Sequence, residues 1–328
     1  MKAYRWMCTA SLVCGGLFAT SVSAQSNWQG YTYMGSAASA SYKGMEKLSK
    51  VVKEETKGSI NINMNVGGAL PIQASNITQA VGDGILQIAA DGFMTGNVPI
   101  TGILRLPMLL VSEEEFATAS AALMPDIESA YLKQGVVVLA QYVYPLQVAW
   151  STKKLTTLED LTGQKMRVTS PEQGEFVKKM GGTAVTIGTV EVPSALASGL
   201  VSGAFTASSG AGRLWKDQLK YSFRMGPNYF NALIIANKRS WDKLSDADRK
   251  VIKNAAQRVA KEMTASMKAE ESELTREMAA GGMIVTEAKP QVFQAAAKNM
   301  PPIWDDWAAK QGPESNKALT KVRTIIGR

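Results

Sequence analysis

Residues 155–203 read LTTLEDLTGQKMRVTSPEQGEFVKKMGGTAVTIGTVEVPSALASGLVSG. Two stretches of strand length, 165–168 and 184–187, are each followed by a helical pattern, at 174–180 and 193–200. Strand, helix, strand, helix is the order of parallel β-α-β units, whose sheet is covered on both faces. Arg167 sits inside the first strand, directly after Lys165 and Met166. An arginine fixed on a strand edge within a cleft makes a good carboxylate receptor, because its planar fork donates two parallel hydrogen bonds.

The same alternation extends upstream. Residues 28–34 read as a strand, and 42–56 as a helix with Met45, Leu48, Val51 and Val52 on one face and Lys57-Gly58 closing it. Residues 60–66 alternate apolar and polar with period two, which marks a strand that ends at Gly67-Gly68. A short helix at 72–81 precedes two buried strands, at 85–90 and 136–140. Downstream, 228–236 is an apolar strand near the crossover between the two halves. Ser245 and Asp248 form a capping-box pattern that opens a stretch free of Gly and Pro as far as Ala280, where Gly281-Gly282 stops it. Roughly 35 residues at ~1.5 Å each give about 50 Å, longer than one small domain. Either one helix spans two lobes, or two helices break near 264–266. The tail holds a strand at 283–285 and two more helices.

Composition narrows the function. Lys2 and Arg5, an apolar run over 12–19 and the small residues Val22-Ser23-Ala24 form a secretory leader over 1–24. That run is far short of the ~20 residues a spanning helix needs. Both cysteines, Cys8 and Cys14, fall in the leader, so the secreted chain has no thiol, disulfide or cysteine-bound metal. There is no histidine, which removes His-based triads and most zinc sites. No Gly-x-Ser-x-Gly occurs, and no Ser-x-x-Lys has its partner motifs, so the reading is a binding protein and not an enzyme. The charge is +8 from 36 basic and 28 acidic residues; without Lys2 and Arg5 it is 34 against 28, or +6. The basic residues are scattered, which together with secretion excludes nucleic acid as a partner and leaves a mild bias toward anions.

In this order and spacing, further motifs accompany the Arg167 segment. They are Met34-Gly35-Ser36-Ala37 after the first strand, Glu54-Glu55-Thr56-Lys57-Gly58 at a helix end, and Gly67-Gly68-Ala69-Leu70. Ala80-Val81-Gly82-Asp83-Gly84, Leu106-Pro107-Met108-Leu109 and a run from Asn237-Lys238 through Trp241 to Leu244-Ser245 complete the set. The chain resembles the DctP-like substrate-binding proteins of tripartite ATP-independent periplasmic (TRAP) transporters over essentially its whole secreted length. The resemblance implies an α/β, two-lobed periplasmic binding protein fold. Each lobe would hold a mixed, mostly parallel sheet flanked by helices, with crossing strands and a lobe-spanning helix joining the lobes. The first lobe would take 25–144 plus 233–272, the second 145–232 plus 273–328. It also implies a small organic acid held between the lobes, delivery to a TRAP membrane permease, and no cofactor. A sensory receptor of the same fold is the other role such a chain could have.

The resemblance assigns the ligand carboxylate to Arg167. Gln147 stands where many relatives place a second polar or basic group, and here it is an uncharged amide. Phe205 and Thr206 replace a Glu-Asn pair common in relatives that bind dicarboxylates or sugar acids, which lowers the donor count and raises the apolar surface. Ser208 and Ser209 follow as groups for a hydroxyl or keto oxygen. Thr189 precedes a helix and would line the cleft. Tyr33, Met34, Asp91 and Phe93 end strands of the first lobe, and ligands meet the carboxyl ends of strands in open α/β sheets. Asn228, Tyr229 and Asn231 lie at the crossover. Trp150 and Trp215 would either cover an aromatic ligand or fill the core. An aromatic or apolar monocarboxylate is the expected ligand, with a C4-type dicarboxylate or a 2-oxo or 2-hydroxy acid as the alternative. A metal site is not expected.

Overall fold

The computed structural model describes residues 25–328, so the leader expected at 1–24 lies outside the described residues. Among the described residues no helix is long and apolar enough to cross a membrane. In the first half, β1 (Ser26–Thr32), α1 (Ala40–Glu55), β2 (Ile60–Asn65), α2 (Ile77–Asp83), β3 (Ile88–Asp91), α3 (Glu113–Leu132) and β4 (Val136–Tyr144) follow one another. Then come β5 (Val148–Ser151), β6 (Lys165–Val168), α4 (Pro171–Lys179), β7 (Thr183–Thr186), α5 (Val192–Ala197), β8 (Gly203–Thr206), α6 (Arg213–Trp215) and β9 (Tyr221–Phe223). The chain continues through β10 (Phe230–Asn237), α7 (Lys238–Asp242), α8 (Asp246–Ala280) and β11 (Ile284–Thr286). It ends in α9 (Pro290–Lys298), α10 (Pro301–Gln311) and α11 (Pro313–Ile326).

The strands form two mixed sheets, ordered β2-β1-β3-β10-β4 and β11-β9-β5-β8-β6-β7. In the first, β1 runs parallel to β2 and β3, while β10 is antiparallel to β3 and β4. In the second, β6 is parallel to β7 and β8, β11 is parallel to β9, and β5 is antiparallel to β8 and β9. The chain passes between the sheets from β4 to β5 and returns from β9 to β10. The division expected at 232–233 falls inside β10. That strand stays in the first sheet throughout, because its pairing with β4 starts at Phe230–Tyr144 and runs, with one bulge, to Asn237–Val136.

Helix α8 is continuous over 35 residues, which settles the choice between one helix and two. The Ser245 hydroxyl accepts the Asp248 N–H at 3.0 Å and donates to the Asp248 carboxylate at 2.8 Å, so the helix start is doubly fixed. Its buried face carries Ile252, Ala255, Ala256, Val259, Ala260, Met263 and Met267, and packs on α1 and β4. Thr264 sits at the suspected break. Its hydroxyl donates back to Ala260 O and accepts the Val143 N–H at 3.0 Å. Lys253 Nζ donates to Val138 O at 2.8 Å. These two side chains cap the outer edge of β4, an edge strand that would otherwise expose unpaired backbone groups.

Three parts of the fold differ from the sequence reading. Helix α3 has no counterpart in it, and Pro125 inside the helix is the reason. Proline removes one N–H and reads as a helix breaker, yet Ser112 caps the start and Glu113, Glu114 and Glu115 complement the helix dipole. Strands β5, β8 and β9, of four, four and three residues, also have no counterpart in the sequence reading. The tail carries three helices and not two. Pro290, Pro301 and Pro313 each open one, and Gly312 at φ +98° separates the last pair. Residues 273–328 also divide between lobes: β11 joins the second sheet, but α11 packs on α3 of the first lobe.

Candidate ligand cleft

The carboxyl ends of β1, β3, β4, β6 and β8 and the starts of β5 and β10 meet at one cavity of about 20 Å³, little more than a water molecule needs. Tyr33, Met34, Phe93, Tyr144 and Phe230 line it from the first lobe and Gln147, Arg167, Thr169, Thr189, Thr206, Gly210 and Ala211 from the second. A vestibule of about 360 Å³ shares Tyr33 and Thr189 with it and opens between residues 67–74 and 188–191. The lobes touch at this rim. Val190 rests on Gly35 and Gly68, where an added Cβ would stand 2.8 Å and 3.3 Å from its methyl groups. Gly68 also sits at φ +85°, a backbone conformation that excludes most side chains. Arg213 donates to Ala38 O at 2.6 Å across the same seam.

Arg167 is 2% exposed. Its Nε donates to Ile187 O at 3.0 Å and its Nη1 to Phe205 O at 3.2 Å. The guanidinium lies 5.7 Å from the Phe93 ring centroid and 5.4 Å from that of Trp215. Among the described residues it has no carboxylate partner. Glu191 acts on it only through its charge, and the Glu191 carboxylate is engaged with the Gly188 N–H at 2.7 Å. Burial lowers the Arg167 guanidinium to about 9, against the opposing influence of Tyr33 and Glu191, so it stays cationic at neutral pH. A buried cation held only by carbonyls and rings is costly unless an anion joins it.

The wall facing Arg167 is aromatic. Tyr33, Phe93 and Phe230 pack edge to face with centroids 5.7 to 6.0 Å apart, and Tyr144 joins Phe230 at 5.5 Å. Arg105 supports Phe230 from beneath at 4.4 Å and donates to Asn231 and to Gly92 O. A Cβ at Gly210 would press on the Thr206 hydroxyl at 3.2 Å and touch the Tyr144 ring at 3.4 Å. Gln147 turns its amide to Pro145 O at 2.9 Å and brings no charge.

Of the expected residues, Arg167, Gln147, Thr206, Thr189, Tyr33, Met34 and Phe93 come together at the cavity, whereas Phe205, Ser208, Ser209, Asp91, Asn228, Tyr229, Asn231, Trp150 and Trp215 do not line it. The Phe205 ring packs edge to face on Phe176 in the second-lobe core, and only its carbonyl touches the site. Ser208 and Ser209 donate their N–H groups to Glu271 and tie the turn to α8. Asn228 accepts from Gln173, and Asn231 bridges Arg105 and Gln141. Trp150 is a core residue that donates to Thr206 O, while Trp215 stacks on Arg167. Tyr144 and Phe230, which the sequence reading missed, stand opposite each other in the β4–β10 register, and only that register brings them together. Among the described residues no group of three or more acidic, His or Cys side chains forms a metal site.

Asp91 is a fully buried carboxyl away from the cavity. It accepts from Thr78, from Tyr131 at 3.2 Å and from the Phe93 N–H at 3.2 Å. Burial raises it to about 6, outweighing these hydrogen bonds and the nearby Arg105 charge. The folded state therefore holds a proton that the unfolded chain has lost between about pH 4 and pH 6. The stability that this carboxyl contributes is complete in acid and falls as pH rises through about 6. Moving a carboxyl from 3.8 to about 6 is worth about 3 kcal/mol. Asp91→Asn should gain stability relative to the parent by up to that amount between pH 4 and pH 7, read from urea melts at both; parallel profiles would refute the assignment.

The family model described as bacterial extracellular solute-binding protein, family 7 (DctP), matches residues 31–311. The ectoine-binding periplasmic protein TeaA of Halomonas elongata is 23% identical over 345 aligned residues, covering 99% of this chain and 97% of that protein. The Bordetella pertussis extracytoplasmic solute receptor DctP7, which binds pyroglutamic acid, superposes with a TM-score of 0.81 at 24% identity, over 91% of this chain and 99% of that one. A TRAP periplasmic solute-binding protein from Ralstonia eutropha with bound (S)-2-acetolactate gives 0.85 at 24% identity, over 92% and 99%.

Proposed function

The chain belongs to family 7 of the bacterial extracellular solute-binding proteins, and from that premise we propose that it captures a small monocarboxylate with a flat or branched apolar body. It passes this acid to the permease of a TRAP transporter. The observation that carries the reading is Arg167, a buried guanidinium with no carboxylate partner among the described residues, facing a cavity walled by Tyr33, Phe93, Tyr144 and Phe230. Its remaining N–H groups suit one carboxylate. A second carboxylate would need a second cation, and Gln147 occupies the place where one would stand. The apolar character comes from the first-lobe rings and not from Phe205. Ectoine, pyroglutamic acid and acetolactate are bound by the three relatives named above, so the shared fold alone does not set the ligand.

At about 20 Å³ the cavity is too small for such an acid, so the lobes part to admit it. A ligand that bridges Arg167 and the ring wall favours the closed arrangement, because only there do both sides touch it. The test is a thermal-shift panel of aromatic and aliphatic monocarboxylates, C4 dicarboxylates and sugar acids. A ligand at 100 times its dissociation constant stabilises by ~2.7 kcal/mol. Compact apolar monocarboxylates should give that shift. A shift with dicarboxylates or sugar acids alone would overturn the reading.

A further inference from the structure

The cavity carries a second polar feature. Tyr142 OH donates to Tyr33 OH at 3.4 Å, and Tyr33 OH donates to Tyr144 OH at 2.9 Å. Behind Tyr142, the Ser41 hydroxyl lies 2.8 Å away, and Thr32 Oγ1 lies 3.0 Å from Ser41. Thr32 Oγ1 accepts the Met34 N–H at 3.3 Å, which fixes that end of the chain to the backbone. Five hydroxyls from β1, the residue after it, α1 and β4 thus form one buried line.

A phenol has one proton to give. Tyr142 gives its proton to Tyr33, and Tyr33 gives its own to Tyr144. The Tyr144 proton is the first that the line does not consume, and Tyr144 lines the cavity together with Tyr33 and Arg167. The ring is held by Phe230 at 5.5 Å and Tyr142 at 5.8 Å. Burial raises the Tyr144 hydroxyl to about 12, so it remains a neutral donor at physiological pH.

We propose that Tyr144, held by the Tyr33–Tyr142–Ser41–Thr32 hydroxyl line, is a specificity-determining donor for a second, uncharged oxygen of the ligand. The cleft then selects monocarboxylates that bear a carbonyl or hydroxyl oxygen away from the carboxylate. This rests on the monocarboxylate reading above. A neutral donor backed by other phenols satisfies a ketone, lactam or hydroxyl oxygen but does not neutralise a second buried charge. An acid without that oxygen leaves the Tyr144 proton unpaired in a dry site, which lowers its affinity.

The test uses matched acids differing by one oxygen: 3-oxocyclopentanecarboxylate against cyclopentanecarboxylate, 4-oxopentanoate against pentanoate, and 5-oxohexanoate against hexanoate. Calorimetric titration of the parent should show at least one pair in which the oxygen-bearing acid binds more tightly. In Tyr144→Phe that preference should shrink by about tenfold, because the oxygen-bearing acid loses far more affinity than the plain one. Tyr142→Phe breaks the line one step behind Tyr33 without touching the cavity, and should reduce the same preference by less. Equal loss for both members of a pair, or an unaltered preference in Tyr144→Phe, would overturn the proposal alone. Plain acids binding the parent as tightly as their partners would do the same. Failure of every acid to bind the parent would overturn the monocarboxylate reading, and this proposal with it.

Discussion

Replacing Arg167 with alanine should abolish measurable binding of any acid that the parent protein takes up. Losing the buried partner of a carboxylate costs about 2–5 kcal/mol, roughly 30-fold to several thousand-fold in affinity. The loss should be confined to binding. In the ligand-free protein the substitution removes a desolvated charge but leaves Ile187 O and Phe205 O without their donors. Those two effects oppose each other, so the melting temperature without ligand should move little while the ligand-induced rise disappears. Arg167→Lys keeps the charge and loses the planar fork, and should recover only part of the affinity. Calorimetric titration of parent and both variants checks this. An alanine variant binding within threefold of the parent would move the carboxylate site elsewhere.

The second large effect belongs to Glu271→Ala, which should destabilise the fold. Glu271 accepts Ser208 N–H at 2.9 Å, Ser209 N–H at 2.7 Å, Ser209 Oγ at 2.8 Å and Arg224 Nη2 at 2.7 Å. The two side chains of the ion pair are 11% and 14% exposed. Removing one member of a buried pair costs about 3–5 kcal/mol, because the other is left charged and alone. Denaturant melts should show that loss. Affinity should fall as well, since the same turn carries Gly210 and Ala211 to the cavity. Burial would raise the Glu271 carboxyl, but the Ser209 N–H and Arg224 outweigh it and hold it below its usual range. Its contribution is therefore present at neutral pH and lost as pH falls through the acid range, opposite in sign to Asp91. A melt unchanged from the parent would refute the anchoring role.

How much of this was legible in the sequence follows from the kind of signal each part leaves. Helix α8 was readable because a cap, 35 residues without Gly or Pro and a Gly-Gly stop all lie along one stretch. Helix α3 was hidden by Pro125, whose cost the capped start and the tertiary packing offset. At the site, Arg167 stood out through its place on a strand. Phe205 and Thr206 show the limit: neighbours on a strand face opposite sides, so only one of the pair reaches the cavity. Which one depends on the β5–β8 and β6–β8 register, and composition does not encode it. Tyr144 and Phe230 meet through pairing across 86 residues of chain, a relation that no local pattern carries.

Helix α8 is fastened to the first lobe at Thr264, through the Val143 N–H, and to the second at Glu271, through Ser208 and Ser209. The two fastenings, at 264 and 271, are seven residue steps apart, about 10 Å of helix. Any swing of one lobe against the other must be absorbed as curvature within those two turns or released at one fastening. The helix therefore acts on the pair of lobes as a short leaf spring. Its stiffness resists any change in the angle between the lobes, and that stiffness is adjustable without touching a single group that lines the cavity.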